Sequence, residues 1–165
     1  MERNIMESQS VGEKLRGRVQ KRSVDSSAIE GVGTFIYCVT THRYLFLLRN
    51  SSKYAGTWGL AGGKIDAGEQ LLESLHRELI EELGVDFSSA KVIPIEKFTS
   101  DKNNFSYHTF LLPVKEEFVP DLNHEHRGYC WVELGDYPKP LHPGVWRTVN
   151  FKEVIAKIKT LESIL

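Results

Sequence analysis

Apolar positions are sparse and aperiodic over residues 1 to about 30. That predicts a flexible polar arm or a short, poorly packed helix. From Gly31 the pattern changes. Val32, Thr34, Phe35, Ile36, Tyr37, Cys38 and Val39 form a run of β-formers, and Tyr44 to Leu48 form a second after Thr41-His42-Arg43, so a hairpin is expected. Arg49 to Gly56 reads as a polar loop and Thr57 to Leu60 as a short strand. The period then lengthens. At about 100° per residue, Leu72, Leu75, Leu79 and Leu83 share one helical face, and Gly84 follows where a C-cap favours a residue tolerant of positive φ. Strands are expected over Lys91 to Phe98, where Pro94 argues for an edge or a bulge, over Phe105 to Val114, and over Tyr129 to Leu134. Asp101 to Asn104 reads as a turn. Pro138, Pro140 and Pro143 punctuate a stiff loop. A last helix is expected from Asn150, with Glu153 in the reciprocal capping position and Phe151, Val154, Ile155, Ile158, Leu161 and Leu165 on its apolar face.

This order of elements fits an α/β fold in which helices cover both sides of a mixed sheet, although pattern alone leaves the arrangement open. The chain of 165 residues, 41% hydrophobic and 26% charged, suits one domain over residues 31–165 behind the arm 1–30. A formal net charge of −1 argues against a dedicated nucleic-acid or membrane-surface binder. Within the arm, Lys14, Arg16, Arg18, Lys21 and Arg22 make a basic cluster opposed only by Glu13. RNA or an acidic partner is one reading of it; a solvated tail is the other, and no aromatic residues accompany the charges as in a stacking platform. No apolar run has the length of a membrane span and no signal peptide is recognisable, so a cytoplasmic protein is expected. Cys38 and Cys130 fall inside expected strands and read as buried free thiols of a reducing compartment.

The candidate chemistry lies between Gly63 and Val85. Glu78, Glu81 and Glu82 project away from the leucine stripe, with Arg77 at the edge of the group. Like charges one helical turn apart cost about 0.2–0.5 kcal/mol per pair, a cost that a bound cation would offset. Clustered carboxylates suit a hard divalent ion such as Mg²⁺, with Mn²⁺ as a substitute. Gly59, Gly62, Gly63 and Gly68 allow tight bends and close approach of main chain to a ligand. The alternative is a solvated acidic helix face.

Read as Gly63, five residues, Glu69, seven residues, Arg77-Glu78, Leu79, Ile80, Glu81-Glu82, one residue, Gly84 and apolar Val85, the segment resembles the Nudix box without departure. The resemblance implies the Nudix fold, an α/β/α sandwich with a mixed sheet. It also implies Mg²⁺-dependent hydrolysis of a nucleoside diphosphate linked to another group, by attack of water on phosphorus. Carried over by position, it makes Glu78, Glu81 and Glu82 metal ligands together with the carbonyl of Gly62. It pairs Arg77 with Glu69 as a brace, and sets Gly62, Gly63 and Lys64 beside the bound nucleotide. Ala61 stands where the family usually has proline before its two glycines, which would loosen the loop slightly. A homodimer is the assembly that analogy within the family suggests.

The general base is less fixed by sequence. His124-Glu125-His126, followed by Tyr129 and Trp131, resembles a segment of dinucleoside polyphosphate hydrolases in the family, which favours Glu125 as the additional carboxylate. Glu117, Glu116 and Asp101 are rivals, and His124 and His126 read as loop histidines, since Mg²⁺ prefers oxygen. For the leaving group, Tyr44, Phe46, Tyr54, Tyr107 and Tyr129 are candidate stacking residues, with core packing as the alternative for each. Arg43, Arg49, Lys53 and Lys64 are candidate phosphate contacts, while Trp58 and Trp131 are expected to be structural. Leu141-His142-Pro143-Gly144 resembles a substrate-closing loop of some members. The expected substrate is a small nucleotide: a dinucleoside polyphosphate, ADP-ribose or a sugar nucleotide, with modified nucleoside triphosphates or the 5′ end of RNA as alternatives. A nucleotide-sensing, non-catalytic module is a further alternative, which the intact set of box carboxylates argues against.

Overall fold

A computed structural model describes residues 28–51 and 53–165. The basic cluster of the N-terminal arm lies outside the described residues. Ile29 and Glu30, assigned to the arm by pattern, already belong to the first strand.

That strand, β1 (Ile29–Cys38), is the centre of the sheet. It runs parallel to β6 (Phe105–Val114) over its whole length, from Ile29 opposite Phe105 to Cys38 opposite Val114. Its other edge is shared. The C-terminal end pairs with β2 (Arg43–Arg49), and the N-terminal half pairs with β4 (Ala61–Lys64), Gly33 lying opposite Gly62 and Val32 opposite Gly63. The expected hairpin therefore forms but splays, and the segment containing β3 (Trp58–Gly59) and β4 fills the fork, β3 pairing with β2. β5 (Ile93–Thr99) is an edge strand on β6 with an irregular register between Pro94 and Glu96, because proline cannot donate to a ladder. β7 (His126–Glu133) closes the other side on β2.

β1 reads as an unbroken apolar run because both its faces are covered. Val32, Ile36 and Cys38 pack under α1 (Leu71–Leu83) with Leu75, Leu79, Leu83 and Leu112. Phe35 and Tyr37 point the other way, toward Val145 and Val149 of α2 (Pro143–Val149) and Val154 and Ile158 of α3 (Lys152–Ile164). This is a three-layer α/β/α sandwich. Tyr44 and Phe46 lie in that second core, buried to 1% and 0% exposure, and are packing residues rather than stacking platforms. Trp131 is buried and donates to the Phe118 carbonyl. No described helix is long and apolar enough to cross a membrane.

Several details differ from the sequence pattern. Leu72 is exposed, and Leu71 packs against the core instead. The proline-rich loop contains α2, whose Pro143 occupies a first-turn position where its missing N–H costs nothing. Asn150 ends α2 rather than capping α3, its side chain donating to the Trp146 carbonyl, and Phe151 is the residue at the start of α3. Phe151 and Leu165 of the expected apolar face are exposed. Cys38 is buried but Cys130 only half so, and both are free thiols.

Candidate active site

The site begins where β4 hands the chain to α1. Pairing with β1 fixes the main chain of Gly62 and Gly63, and the acidic side of α1 lies against it. The Gly62 N–H donates to Glu82 Oε2 at 2.8 Å. A Cβ on Gly63 would press on the Glu78 carboxylate, so glycine lets that side chain lie against the loop. Gly84 ends the helix at φ 69°, its N–H donating to the Ile80 carbonyl, which is the expected left-handed cap.

Glu78 and Glu82 border the leucine stripe rather than occupying a separate face, and are buried with it at 8% and 3% exposure. Glu81 lies about 60° further round the helix and is exposed. Both of its oxygens contact Arg77 Nη1, at 3.2 and 3.3 Å. The three carboxylates therefore do not converge together. Arg77 grips Glu69 through a two-pronged contact, Nε to Oε2 at 2.7 Å and Nη2 to Oε1 at 3.0 Å, and reaches Glu78 Oε1 at 2.9 Å and the Lys64 carbonyl at 3.2 Å. One guanidinium thus ties the loop to the helix. Hydrogen bonding to Arg77 holds the Glu69 carboxyl down at about 2. The Lys64 side chain is exposed.

The third carboxylate of the cluster comes from Glu125. The turn before β7 presents it, its N–H donating to Asn123 Oδ1. Ligand atoms of Glu82, Glu125 and His126 all lie within 4.8 Å of one another. Burial pushes the Glu82 carboxyl well above the ordinary carboxylate range, the Gly62 N–H opposes that, and Glu78 and Glu125 push it further up. Glu78 is raised too, by burial against the pull of Arg77, with Glu81 and Glu125 adding to the rise. Buried carboxylates that raise one another in this way fit a divalent cation between them, which would stabilise the charged forms. The rival Glu117 is committed elsewhere: it accepts from Arg43 at 2.6 and 2.8 Å and from Thr41 at 2.6 Å. Asp101 and Glu116 are exposed, Asp101 in the turn before β6.

Beside the cluster opens a cavity of about 200 Å³ lined by Arg49, Gly62, Gly63, Phe98, Tyr107 and Arg147, among others. Its floor explains two glycines of β1. Tyr107 lies across Gly31 and Gly33, where added Cβ atoms would stand 2.7 and 2.1 Å from its ring and hydroxyl. Burial raises the Tyr107 phenol, and Glu82 raises it further. Arg147 stacks on Phe98, 3.9 Å from the ring centroid, and donates to Glu96 at 3.0 Å. His142 lines the rim, its Nδ1 accepting from the Gly144 N–H, and meets the Tyr54 ring edge-on at 4.6 Å.

Of the candidate ligand-contacting residues, the structure puts Tyr107 and Arg49 in the cavity, and Tyr54 touches its rim through His142. Arg43 is engaged by Glu117, Lys53 lies over Tyr54, and Tyr129 is exposed on β7. Phe98, Phe105 and Arg147 were not anticipated. They converge from β5, β6 and α2, and no local spacing carries that signal.

The chain is similar in sequence and fold to known proteins. The NUDIX domain family model matches residues 30–151. An RNA pyrophosphohydrolase of Helicobacter pylori (strain G27) is 32% identical over 122 residues, spanning 63% of this chain and 75% of that protein. Similar solved structures include the MutT protein of Methanosarcina mazei Go1, with TM-score 0.63 and 25% identity over 83% of this chain and 99% of that one. A C. elegans Ap4A hydrolase complex has TM-score 0.61 and 19% identity over 82% and 99%.

Proposed function

The chain belongs to the Nudix hydrolase family, and from that premise we propose that it is a cytoplasmic, Mg²⁺-dependent pyrophosphohydrolase of small nucleotides, with Mn²⁺ as a substitute ion. Its favoured substrates are a nucleoside diphosphate joined to a second moiety, as in dinucleoside polyphosphates, ADP-ribose and sugar nucleotides. The observation that carries this reading is the seating of Glu78 and Glu82 against the Gly62–Gly63 main chain that lines the cavity, with Glu125 within 4.8 Å of Glu82.

A divalent ion bound there neutralises charge on phosphate oxygens and acidifies an attacking water. Glu78, Glu82 and the Gly62 carbonyl are the residues that would hold it. A ligand role for Glu81 requires it to exchange Arg77 for the ion, and we retain it on that condition. Glu125 is the proposed general base: its carboxylate lies within 4.8 Å of that of Glu82, whereas Glu117 is spent on Arg43 and Thr41. Arg77 and Glu69 position the loop on the helix and need not touch substrate. Arg49 and Lys64 are proposed to meet phosphate groups.

The cavity is smaller than the ~300–1,000 Å³ sites that enclose a drug-sized ligand. It therefore suits one planar ring system with the phosphates outside, over the carboxylates. Phe98, Phe105 and Tyr107 would pack against a base, and Arg147 would offer donors to acceptors on its edge.

A second reading, removal of phosphates from the 5′ end of RNA, is favoured by the 32% identical relative named an RNA pyrophosphohydrolase. Incubation with a panel of free nucleotides and 5′-triphosphate RNA, with Mg²⁺ or Mn²⁺ and products identified by mass, separates the two. Turnover confined to RNA refutes the small-nucleotide reading, and turnover of no panel member refutes both. A homodimer is also proposed by analogy, and light scattering tests it.

A further inference from the structure

β7 brings a histidine, not only a carboxylate, to the acidic cluster. His126 is 5% exposed, and its Nδ1 is buried without a hydrogen-bond partner among the described residues. Leaving a buried polar atom unmatched costs about 1–3 kcal/mol, so such an atom in a folded protein calls for a reason.

The strand geometry supplies one. Glu125 ends the turn before β7 and His126 opens the strand, and both side chains reach Glu82, with ligand atoms of all three residues within 4.8 Å of one another. The pairing of β7 with β2 is irregular at that end: the register shifts between Leu48 and Arg49, the latter lying opposite His126. Irregularities of this kind re-aim side chains and recur beside active sites. Here the irregular end of the ladder coincides with neighbouring residues that converge on one buried carboxylate.

We infer that His126 is a nitrogen ligand of the divalent ion, and that the site consequently holds Mn²⁺ more tightly than Mg²⁺. Imidazole binds first-row transition ions, Mn²⁺ the most weakly of the series, whereas Mg²⁺ prefers oxygen donors. His126 is therefore not the loop histidine that its sequence context suggested. The inference rests on the metal centre proposed above and concerns which donors complete it.

Pulsed EPR of the full chain loaded with Mn²⁺ tests it without any variant, because a coordinated imidazole leaves nitrogen couplings in the spectrum. Those couplings are expected in the wild type and should vanish in His126→Gln. The variant should also bind Mn²⁺ more weakly by at least the ~10-fold that loss of an outer-shell partner already costs, with Mg²⁺ affinity changing much less. Mn²⁺ that binds in a Glu82-dependent way but shows no nitrogen coupling in the wild type overturns the role of His126 and leaves the carboxylate centre standing. Mn²⁺ binding that Glu82→Gln leaves untouched overturns the centre, and this inference with it.

Discussion

Glu82→Gln should move stability and activity in opposite directions. Glu82 is 3% exposed, and its carboxylate lies no more than 4.8 Å from ligand atoms of Glu125 and His126. Two unit charges at that separation, at an effective dielectric of ~20, repel by about 3.5 kcal/mol, part of which Arg49 and the Gly62 N–H offset. Glu125 is only half-buried and solvent screens part of this, leaving a net gain of about 1–2 kcal/mol on neutralising Glu82 in metal-free protein. Glutamine keeps the volume, and its carbonyl can still accept from the Gly62 N–H, so nothing is lost in packing. At about 2–4 °C per kcal/mol for a chain of this size, the metal-free variant should melt about 2–8 °C higher than wild type. Activity should fall. A metal's charge stabilisation is worth several kcal/mol of transition-state energy, so turnover should drop by at least about 10²–10³-fold. The assay is a pair of thermal melts, with and without divalent ion, beside steady-state kinetics. Wild type should gain stability on adding the ion and the variant should not. A metal-free variant that melts lower, or one that keeps the metal-induced rise, would refute the reasoning.

Three further outcomes are expected. Glu125→Gln should lower kcat with little change in KM, whereas Glu117→Gln should leave kcat unchanged and cost at most ~1 kcal/mol by losing a partly exposed ion pair; kinetics of the two variants side by side decide it, and the reverse order would reassign the base. Phe98→Ala should weaken substrate binding by about 1–3 kcal/mol through lost stacking while sparing kcat, and an unchanged KM argues that the base lies elsewhere. Glu69 is held low, at about 2 against an ordinary 4.5, so its stabilising contact with Arg77 is fully present above the ordinary value and is lost as pH falls through the folded one. The difference in melting temperature between wild type and Glu69→Gln should accordingly be constant at neutral pH and shrink on acidification; a difference that grows in acid contradicts the pairing.

What the sequence revealed, and what it concealed, follows the range of the interactions involved. The Arg77–Glu69 pair followed from the family resemblance, whereas the helix with its leucines and its Gly84 cap are local features, readable over some twenty consecutive residues because helical period and cap geometry are set within a turn or two. Pro94 announced an edge strand for a similar reason. α2 was hidden because a seven-residue helix that starts at the last of three closely spaced prolines shows no period, and a proline in the first turn looks the same as a proline in a loop. Glu81 was grouped with its neighbours because sequence counts charges. Only the fold shows that a ~60° step round the helix takes it out of the core and onto Arg77. The cavity is the extreme case. Phe98, Tyr107 and Arg147 meet through the register of β5 on β6 and the seating of α2, none of which a local pattern encodes. His126 reads as a loop residue in sequence yet opens β7 and is buried, a placement that depends on an irregularity of the β2–β7 ladder.

Hydrolysis in heavy-oxygen water, comparing wild type with Glu82→Gln on the substrate that the nucleotide panel identifies, tests the central claim most directly. The expected result is metal-dependent release by wild type of a phosphate-bearing product with solvent oxygen on phosphorus, at a rate the variant does not approach. Equal turnover by the two proteins, or product whose solvent oxygen sits on carbon, would contradict pyrophosphate hydrolysis at this acidic site.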